Sequence, residues 1–156
     1  MFKLTRRSGF TILEALIVII VVGILAAVAI YSLNITRASS RDSKRVSDIS
    51  VMRAAMSQYW LQKASYPVST PVDLGKPGVG ADVLSGSGFT SKDQQLVPPV
   101  FIDQVPTGPN ANEYYTYHGS AEGYSLRFTT ERPTAYGVAG TWYAHANGVD
   151  RTDTEN

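Results

Sequence analysis

Apolar residues run from Phe10 to Tyr31, interrupted only by Thr11 and Glu14, and no polar side chain occurs from Ala15 to Ile30. As a helix this stretch is about 33 Å long, close to the roughly 30 Å of a bilayer's hydrocarbon core. A helix that packs on a soluble core keeps a polar face, and this stretch has none. The pattern therefore predicts a membrane-spanning helix over residues 10–31.

A second periodic segment follows the apolar one. Its apolar residues recur three and four positions apart, at Val46, Ile49, Met52, Met56 and Tyr59. This spacing is typical of an amphipathic helix with one buried stripe. No proline or glycine occurs from Ile24 to Ala64, so we expect one continuous helix over about 10–64. Tyr66-Pro67 should end it, because the residue before a proline avoids the helical conformation.

The composition of residues 66–112 changes to Pro, Gly, Ser and Asp with short apolar patches. The runs 76–80 and 85–88 are rich in turn residues, and we expect both to be loops. The apolar patch from Leu96 to Ile102 contains Pro98-Pro99, and we expect it to pack against the helix. We therefore interpret residues 66–112 as a loop-rich connection.

Strand patterns follow in residues 113–148. Alternation and aromatic content predict strands at Tyr114–Tyr117, Tyr124–Thr130 and Gly140–Ala146. We expect a meander of three or four antiparallel strands laid over the apolar stripe of the helix. The last residues, 149–156, are polar and are expected to form a mobile tail. The predicted fold class is α+β.

Composition and charge exclude several kinds of site. The chain has no cysteine, which excludes disulfides, thiolate metal sites and a cysteine nucleophile. A net charge of +1 gives no basis for binding nucleic acid. The histidines, His118 and His145, have no metal-ligand spacing, and we expect ordinary surface residues. No phosphate-binding or dinucleotide-binding glycine pattern occurs, so we predict no enzymatic activity and no cofactor.

Glu14 is the one charged residue within the apolar run. A charge at membrane depth costs roughly 2.5–3.5 kcal/mol and usually has a partner. Either Glu14 lies at headgroup depth and extends toward water, or it pairs with a positive charge that the run itself does not contain. Cleavage before Phe10 would create such a charge, the new α-amino group four residues from Glu14.

The residues around that bond resemble a processing signal. The run Ser8-Gly9-Phe10-Thr11-Ile12-Leu13-Glu14 follows a short basic leader and opens the apolar segment. The charges of the leader are Lys3, Arg6 and Arg7. The whole is similar to the class III signal of type IV pilins and type II secretion pseudopilins. In that family a long N-terminal helix protrudes in its apolar half and packs its second half on a small antiparallel sheet.

The resemblance assigns a role to three positions of this chain. It implies cleavage after Gly9 by a prepilin peptidase and N-methylation of Phe10 as the new N-terminus. It also implies that Glu14 pairs with the N-terminal amine of a neighbouring subunit. Such a pair in a low-dielectric bundle would fix the axial register of assembly.

Two features depart from the family's pattern. Tyr31 stands where the family commonly has a helix-bending proline, so the resemblance does not extend to proline-linked melting of the helix. Major pseudopilins bind calcium through acidic residues in a late loop, whereas the acids here are scattered. They are Asp103, Glu113, Glu122 and Asp150. No run has calcium-loop spacing, and a structural Ca²⁺ stays open only as an alternative.

Three other interpretations stay open. The leader, the apolar run and Ala27-Val28-Ala29 also fit a secretory signal cut after Ala29, although the run exceeds the usual length of about 7–15 residues and contains Glu14. The cations of residues 41–45 could contact lipid headgroups or DNA, or form a solvated face or subunit contacts. The chain could also be a membrane-anchored or secreted binding module that does not polymerise.

We divide the chain into a cleaved leader (1–9), a membrane and filament-core helix (10–31), its amphipathic continuation (32–65), the connection (66–112), the meander (113–148) and the tail (149–156). The predicted function is a subunit of a type IV pilus or pilus-like filament, or alternatively a type II secretion pseudopilin. Implied partners are copies of itself or other pilins, the prepilin peptidase and N-methyltransferase, an inner-membrane platform protein, an assembly ATPase and membrane lipid. We expect a single-pass precursor in the cytoplasmic membrane and a filament outside the cell or in the periplasm.

Overall fold

The computed structural model describes residues 9–155, so residues 1–8 of the predicted leader, with the charges Lys3, Arg6 and Arg7, lie outside the described residues. The chain divides after Arg37 into two compact units. Helix α1 is Ile12–Lys63. The strands are β1 Ser69–Leu74, β2 Val83–Ser85, β3 Gly88–Thr90, β4 Val100–Ile102, β5 Tyr115–Gly119, β6 Tyr124–Thr130, β7 Gly140–Ala144 and β8 Val149–Asp150.

The helix ends within two residues of its predicted limits at both termini. At the start, the Thr11 hydroxyl accepts a hydrogen bond from the Glu14 backbone N–H at 3.2 Å, so Thr11 is the N-cap. At the other end Ala64 adopts a left-handed φ of 52°, which terminates the helix before Pro67 is reached. No proline occurs within the helix and its one glycine is Gly23, which explains why the helix is continuous in between.

The larger sheet has the order β1-β5-β6-β7-β8, with every pair antiparallel. The predicted meander is confirmed as β5 to β8. Strand β1 was assigned to the loop-rich connection, and that assignment is wrong. Proline is uncommon within strands, so Pro71 argued against a strand at this position in the sequence. The proline is tolerated because β1 is an edge strand whose register shifts between Ser69 and Val72.

The connection also contains a smaller sheet of order β3-β2-β4. The run 85–88, expected to be a loop, is instead the tight turn of the β2–β3 hairpin, in which Ser85 pairs with Gly88. These strands have three residues each and β2 is buried throughout, so no alternation marks them. In the patch ending at Ile102, Phe101 and Ile102 pack on the core, whereas Val97 and Val100 are exposed.

The core of the second unit lies between the helix stripe and the sheets. The stripe buries Ile49, Met52, Ala55, Met56 and Tyr59, whereas the predicted Val46 is only half-buried. Strand residues pack against it, among them Leu84, Tyr115, Tyr117, Leu126, Phe128 and Ala144. The amphipathic pattern thus gave the correct buried face of the helix.

The polar tail is bonded to the sheet, contrary to expectation. The Ser125 hydroxyl donates to the Asp153 carboxylate at 2.5 Å, and His118 Nε2 lies 2.9 Å from Glu155 Oε1. The ring nitrogens of His145 lie 3.1 Å from the carbonyl oxygens of Tyr124 and Thr152. His145 is therefore buried beneath the tail, and its assignment as a surface histidine is wrong, while His118 is partly exposed.

Candidate functional site

The predicted cleavage bond lies in an exposed, non-helical segment. Gly9, Phe10 and Thr11 precede the first helical residue, and all three are exposed. A peptidase needs a chain that it can extend across its active site, and this segment meets that requirement. Gly9, Phe10 and Glu14, the three residues singled out in the sequence, are thus together at the start of the first unit.

Glu14 lies in the first turn of α1, where a carboxylate is favoured by the helix dipole. Within residues 9–155 its carboxylate has no hydrogen bond or ion pair. Thr11, which caps this turn, was missed by the sequence analysis, although the Thr-x-x-Glu spacing is the signal of a capping box. The cap satisfies the hydrogen-bonding capacity of the Glu14 backbone N–H. The charged side chain of Glu14 has no partner in the described part of the chain.

The first unit presents apolar side chains on every side. Exposure of the large apolar residues from Ile12 to Leu33 ranges from 48% at Val21 to 91% at Ile12. Among the described residues α1 is the one helix that is long and apolar enough to cross a membrane. An apolar surface of this extent is stable only in lipid or against other protein.

A buried cation organises the start of the second unit. Arg45 is 2% exposed and donates two parallel hydrogen bonds to Glu113, at 2.6 and 2.9 Å. Its Nη1 donates to Asp42 at 2.7 Å and to Glu131 at 2.9 Å. One carboxylate from the preceding helical turn and two from distant parts of the chain thus share one guanidinium, whose bond to Glu113 is bidentate. The Glu113 hydrogen bond is the main cause that raises the pKa of Arg45.

Asp42 links this cluster to the segment that follows β6. Besides Arg45, its carboxylate accepts the backbone N–H groups of Glu131 at 2.9 Å and of Arg132 at 2.7 Å. Such charge-assisted bonds hold the end of β6 to the helix. Asp42 is 3% exposed, which is tolerable only because its charge is compensated in this way.

The other cations of residues 41–45 are also bonded within the chain. Arg41 pairs with Glu131, and Lys44 donates to Asp48 and to the Thr107 carbonyl, both at 2.6 Å. The Asp48 carboxylate also accepts the Tyr115 hydroxyl at 2.8 Å. The idea of a solvated cationic face is therefore wrong for Arg45, and the described contacts of this stretch favour neither lipid nor DNA.

We expect the carboxylates of the Arg45 cluster to make the fold less stable at low pH. The hydrogen bond from Arg41, with another from Arg45, lowers the pKa of Glu131 from 4.5 to about 2, and Arg45 also lowers the pKa of Glu113. A carboxylate with a depressed folded-state pKa stabilises the fold above its unfolded pKa. We expect this contribution to be complete above about pH 4.5 and to be lost as the pH falls toward 2.

Thermal unfolding of the full chain in detergent between pH 2 and 7 measures this effect. Glu131→Gln should flatten the acid limb of the midpoint curve, whereas Glu122→Gln, an exposed residue outside the cluster, should leave it unchanged. Identical pH curves for the wild type and Glu131→Gln would show that this group does not cause the acid limit.

The described residues do not fit a metal site. Within residues 9–155 no group of three or more His, Asp or Glu side chains is placed to hold an ion. Of the four acids considered for calcium, Glu113 is engaged by Arg45 and Asp103 lies 3.8 Å from Lys92.

Comparison with known proteins gives the family. The model for the prokaryotic N-terminal methylation motif matches residues 4–30. The chain is 38% identical over 110 residues to the type II secretion system core protein G of Aeromonas hydrophila, which covers 70% of this chain and 71% of that protein. The chain belongs to the pilin-like family that includes type II secretion core protein G.

Other relatives of this pilin-like protein are consistent with that assignment. It is 33% identical to the type II secretion system core protein G of Escherichia coli (strain K12) over 76% of this chain and 77% of that protein. It is also 33% identical to the type IV major pilin protein PilE1 of Neisseria gonorrhoeae, over 47% of this chain and 34% of that protein. No solved structure matches the chain significantly.

Proposed function

We propose that this pilin-like protein is cut after Gly9 and polymerises through its apolar helix as a structural subunit of a filament. The observation that carries the proposal is the first unit of the structure. No residue in the most apolar 18-residue stretch of its helical segment is buried within the chain, while its carboxylate at Glu14 has no partner in residues 9–155. When copies of the helix pack together, its apolar residues become buried and the Glu14 carboxylate gains a partner.

The proposed assembly step exchanges one apolar environment for another. Before assembly the helix lies in lipid, and afterwards it lies among like helices, so gains come from close packing and from polar pairing. Cleavage supplies an ammonium group at Phe10, which pairs with Glu14 of a neighbouring copy. A contact of this head-to-tail kind does not close on itself, and it therefore generates a helical filament.

The chemistry in this pathway is performed on the protein by its partners. A prepilin peptidase and N-methyltransferase would cut before Phe10 and methylate it, and a platform protein and an assembly ATPase would drive polymerisation. The basic leader favours a cytoplasmic N-terminus. The precursor is then a single-pass membrane protein whose second unit lies outside the cytoplasm, and the filament extends outward from there.

A secretion pseudopilus is the filament that the similarities favour. The relatives named above that match over about 70% or more of their length are named as type II secretion core proteins, whereas the match to the type IV pilin covers 34% of that protein. A surface type IV pilus is the second candidate. Loss of protein secretion without loss of surface pili on deletion of the gene would distinguish the two.

Filament formation itself is tested by expressing the full chain in cells that contain a prepilin peptidase and a type II secretion apparatus. Shearing should release filaments that electron microscopy detects and that contain this chain. The matched control is a host without the peptidase, in which the uncut precursor should stay in the membrane fraction. Processed protein that remains entirely monomeric in the membrane would overturn the proposal in favour of a membrane-anchored module.

A further inference from the structure

Three polar side chains form one row on the face of the larger sheet that is turned away from the core. His118 and Ser125 lie directly opposite each other on β5 and β6. Ala144 pairs with Leu126, so the same register places the next residue, His145, beside Ser125. Because Leu126 and Ala144 point into the core, their neighbours point to the other face. Ser125 and His145 are nevertheless only 2% exposed each, so something covers them.

A short segment after β8 covers this row. Residues 152–155, the strap, contact the three members of the row one after another. The contacts join the Thr152 carbonyl to His145 Nε2 at 3.1 Å, the Asp153 carboxylate to the Ser125 hydroxyl at 2.5 Å, and Glu155 Oε1 to His118 Nε2 at 2.9 Å. The strap therefore runs across the ends of three strands and buries a face that would otherwise be open to solvent.

The strap begins at a fixed point. Arg151 donates to the carbonyls of Val138 and Thr141, each at 2.7 Å, which attaches it to β7 and to the loop before that strand. The Asp150 carboxylate accepts the backbone N–H and the hydroxyl of Thr152, both at 2.7 Å, and so turns the chain back over the sheet. A strap that lifts would pivot at these two residues and leave the sheet in place.

His145 makes the contact of the strap that depends on protonation. Its Nδ1 lies 3.1 Å from the Tyr124 carbonyl on the sheet, and its Nε2 lies 3.1 Å from the Thr152 carbonyl on the strap. A carbonyl oxygen only accepts hydrogen bonds, so both ring nitrogens must donate for both contacts to be favourable. A neutral imidazole has one N–H and an imidazolium has two. Loss of one proton therefore leaves a nitrogen lone pair facing a carbonyl oxygen.

The charged groups around the His145 ring come from three elements. Asp150 Oδ1 of β8 lies 3.4 Å from Nε2, and hydrogen bonds from Thr152 are the main cause that lowers the pKa of Asp150. Arg53 of α1 is the like charge, and its guanidinium donates to the His145 backbone carbonyl at 3.2 Å. Tyr124 of β6 is uncharged near neutrality, because burial raises its pKa to about 12. The cationic ring thus has a carboxylate and two carbonyls to compensate its burial.

We infer that the strap is a pH-sensitive latch that lies on the sheet while His145 carries both ring protons and lifts when one of them is lost. An imidazole in water loses that proton near a pH of about 6.5. Because the docked strap favours the protonated ring, docking is complete on the acid side of this range and is lost as the pH rises through it. The contact of His118 with Glu155 is an ion pair only when His118 is protonated, so it acts in the same direction. The inference concerns the second unit and holds whether or not the chain polymerises.

Lifting of the strap would open a polar cavity. A cavity of about 270 Å³ is lined by Thr116, His118, Ser125 and Arg127 of the sheet and by Asp153 of the strap. Arg127 donates to the Thr116 hydroxyl at 3.0 Å, and Ser125 donates to Asp153. When Asp153 leaves with the strap, the Ser125 hydroxyl loses its acceptor. The pH would then decide whether this cavity is closed by a carboxylate of the chain itself or open to solvent.

A spin label on the strap measures the latch in the full chain in detergent. The chain has no cysteine of its own, and Thr154 is an exposed strap residue, so Thr154→Cys carries the label. Leu61→Cys, at a position of α1 that is 82% exposed, is the control. Between pH 5 and 9 we expect the ratio of immobile to mobile Thr154→Cys label to fall by up to about tenfold per pH unit for each linked proton. The Leu61→Cys label should not change, and a Thr154→Cys label that stays immobile to pH 9 would overturn the inference.

Two histidine variants assign the release to one ring. His145→Gln keeps a neutral donor and acceptor but cannot gain the second N–H, so it should abolish the main pH transition of the Thr154→Cys label. His118→Gln, at the half-exposed end of the row, should retain that transition. If His145→Gln releases the strap over the same pH range as the unsubstituted chain, another group controls the strap and the inference is wrong.

Nitrogen NMR of the histidine rings tests the latch without changing His145, since a substitution at a buried site can destabilise the unit. The chain has two histidines, and the His118→Gln spectrum assigns the remaining ring to His145. We expect both ring nitrogens of His145 to be protonated at pH 5 and one proton to be lost over the pH range in which the strap label becomes mobile. A neutral His145 ring beneath an immobile strap would contradict the inference.

Discussion

Replacing Glu14 with valine is expected to stop filament assembly while leaving membrane insertion and cleavage intact. The change removes the one charged residue from the apolar run, so insertion becomes easier. In the assembled bundle it leaves the ammonium of a neighbouring Phe10 without its counter-charge. Breaking a buried ion pair in this way costs about 3–5 kcal/mol, which corresponds to a loss of roughly 100-fold or more in assembly.

The measurement is the amount of processed chain in the sheared filament fraction compared with the membrane fraction. Ile17→Leu, a change of similar volume in the same exposed apolar helix, is the control and should assemble normally. Glu14→Ala should behave as Glu14→Val does, because the effect depends on the lost charge and not on side-chain size. Normal filaments from either Glu14 variant would show that the carboxylate is only a headgroup or capping residue.

Replacing Arg45 with methionine is expected to destabilise the second unit by about 3–5 kcal/mol, since the cluster loses the buried guanidinium that contacts all three of its carboxylates. Methionine keeps an unbranched chain of similar length but leaves Asp42, Glu113 and Glu131 facing one another without the guanidinium that joins them. Two buried or half-buried carboxylates then lack their partner, and one of them holds the end of β6.

Denaturant unfolding of the full chain in detergent, followed by tryptophan fluorescence, measures this loss. The control is Arg41→Met, four residues away on the same helix, whose guanidinium pairs with Glu131 at the surface. Exposed pairs contribute less than buried ones, so the control should lose clearly less stability than Arg45→Met. Equal losses in the two variants would contradict the central role assigned to the buried Arg45.

The features of the fold that could be predicted from the sequence are those set by local pattern. The helix and its buried stripe follow from spacing and from the lack of proline, and β6 follows from its alternation. Strands β2, β3 and β4 could not be found in this way, because three residues are too few to show a period. Their existence depends on pairing with one another and on burial, which are decided by the whole chain.

The functional residues likewise divide into those that a local run indicates and those that only folding brings together. Gly9, Phe10 and Glu14 lie in one short run and could be recognised by their order. The cluster around Arg45 could not, because Glu113 and Glu131 are 68 and 86 residues away in sequence. Similarly, the contact of Arg151 with the carbonyl of Val138 depends on β8 returning beside β7. Only the folded arrangement brings these groups together.

The mass of the N-terminus of the chain recovered from sheared filaments decides whether the chain is processed as a pilin. We expect a polypeptide that begins with N-methylated Phe10, which would establish the cleavage site and the pathway that leads to polymerisation. A chain that begins at Ile30 would mean that an ordinary signal peptide had been removed after Ala29. The assembly helix and Glu14 would then be absent from the mature protein, and the filament account would be contradicted.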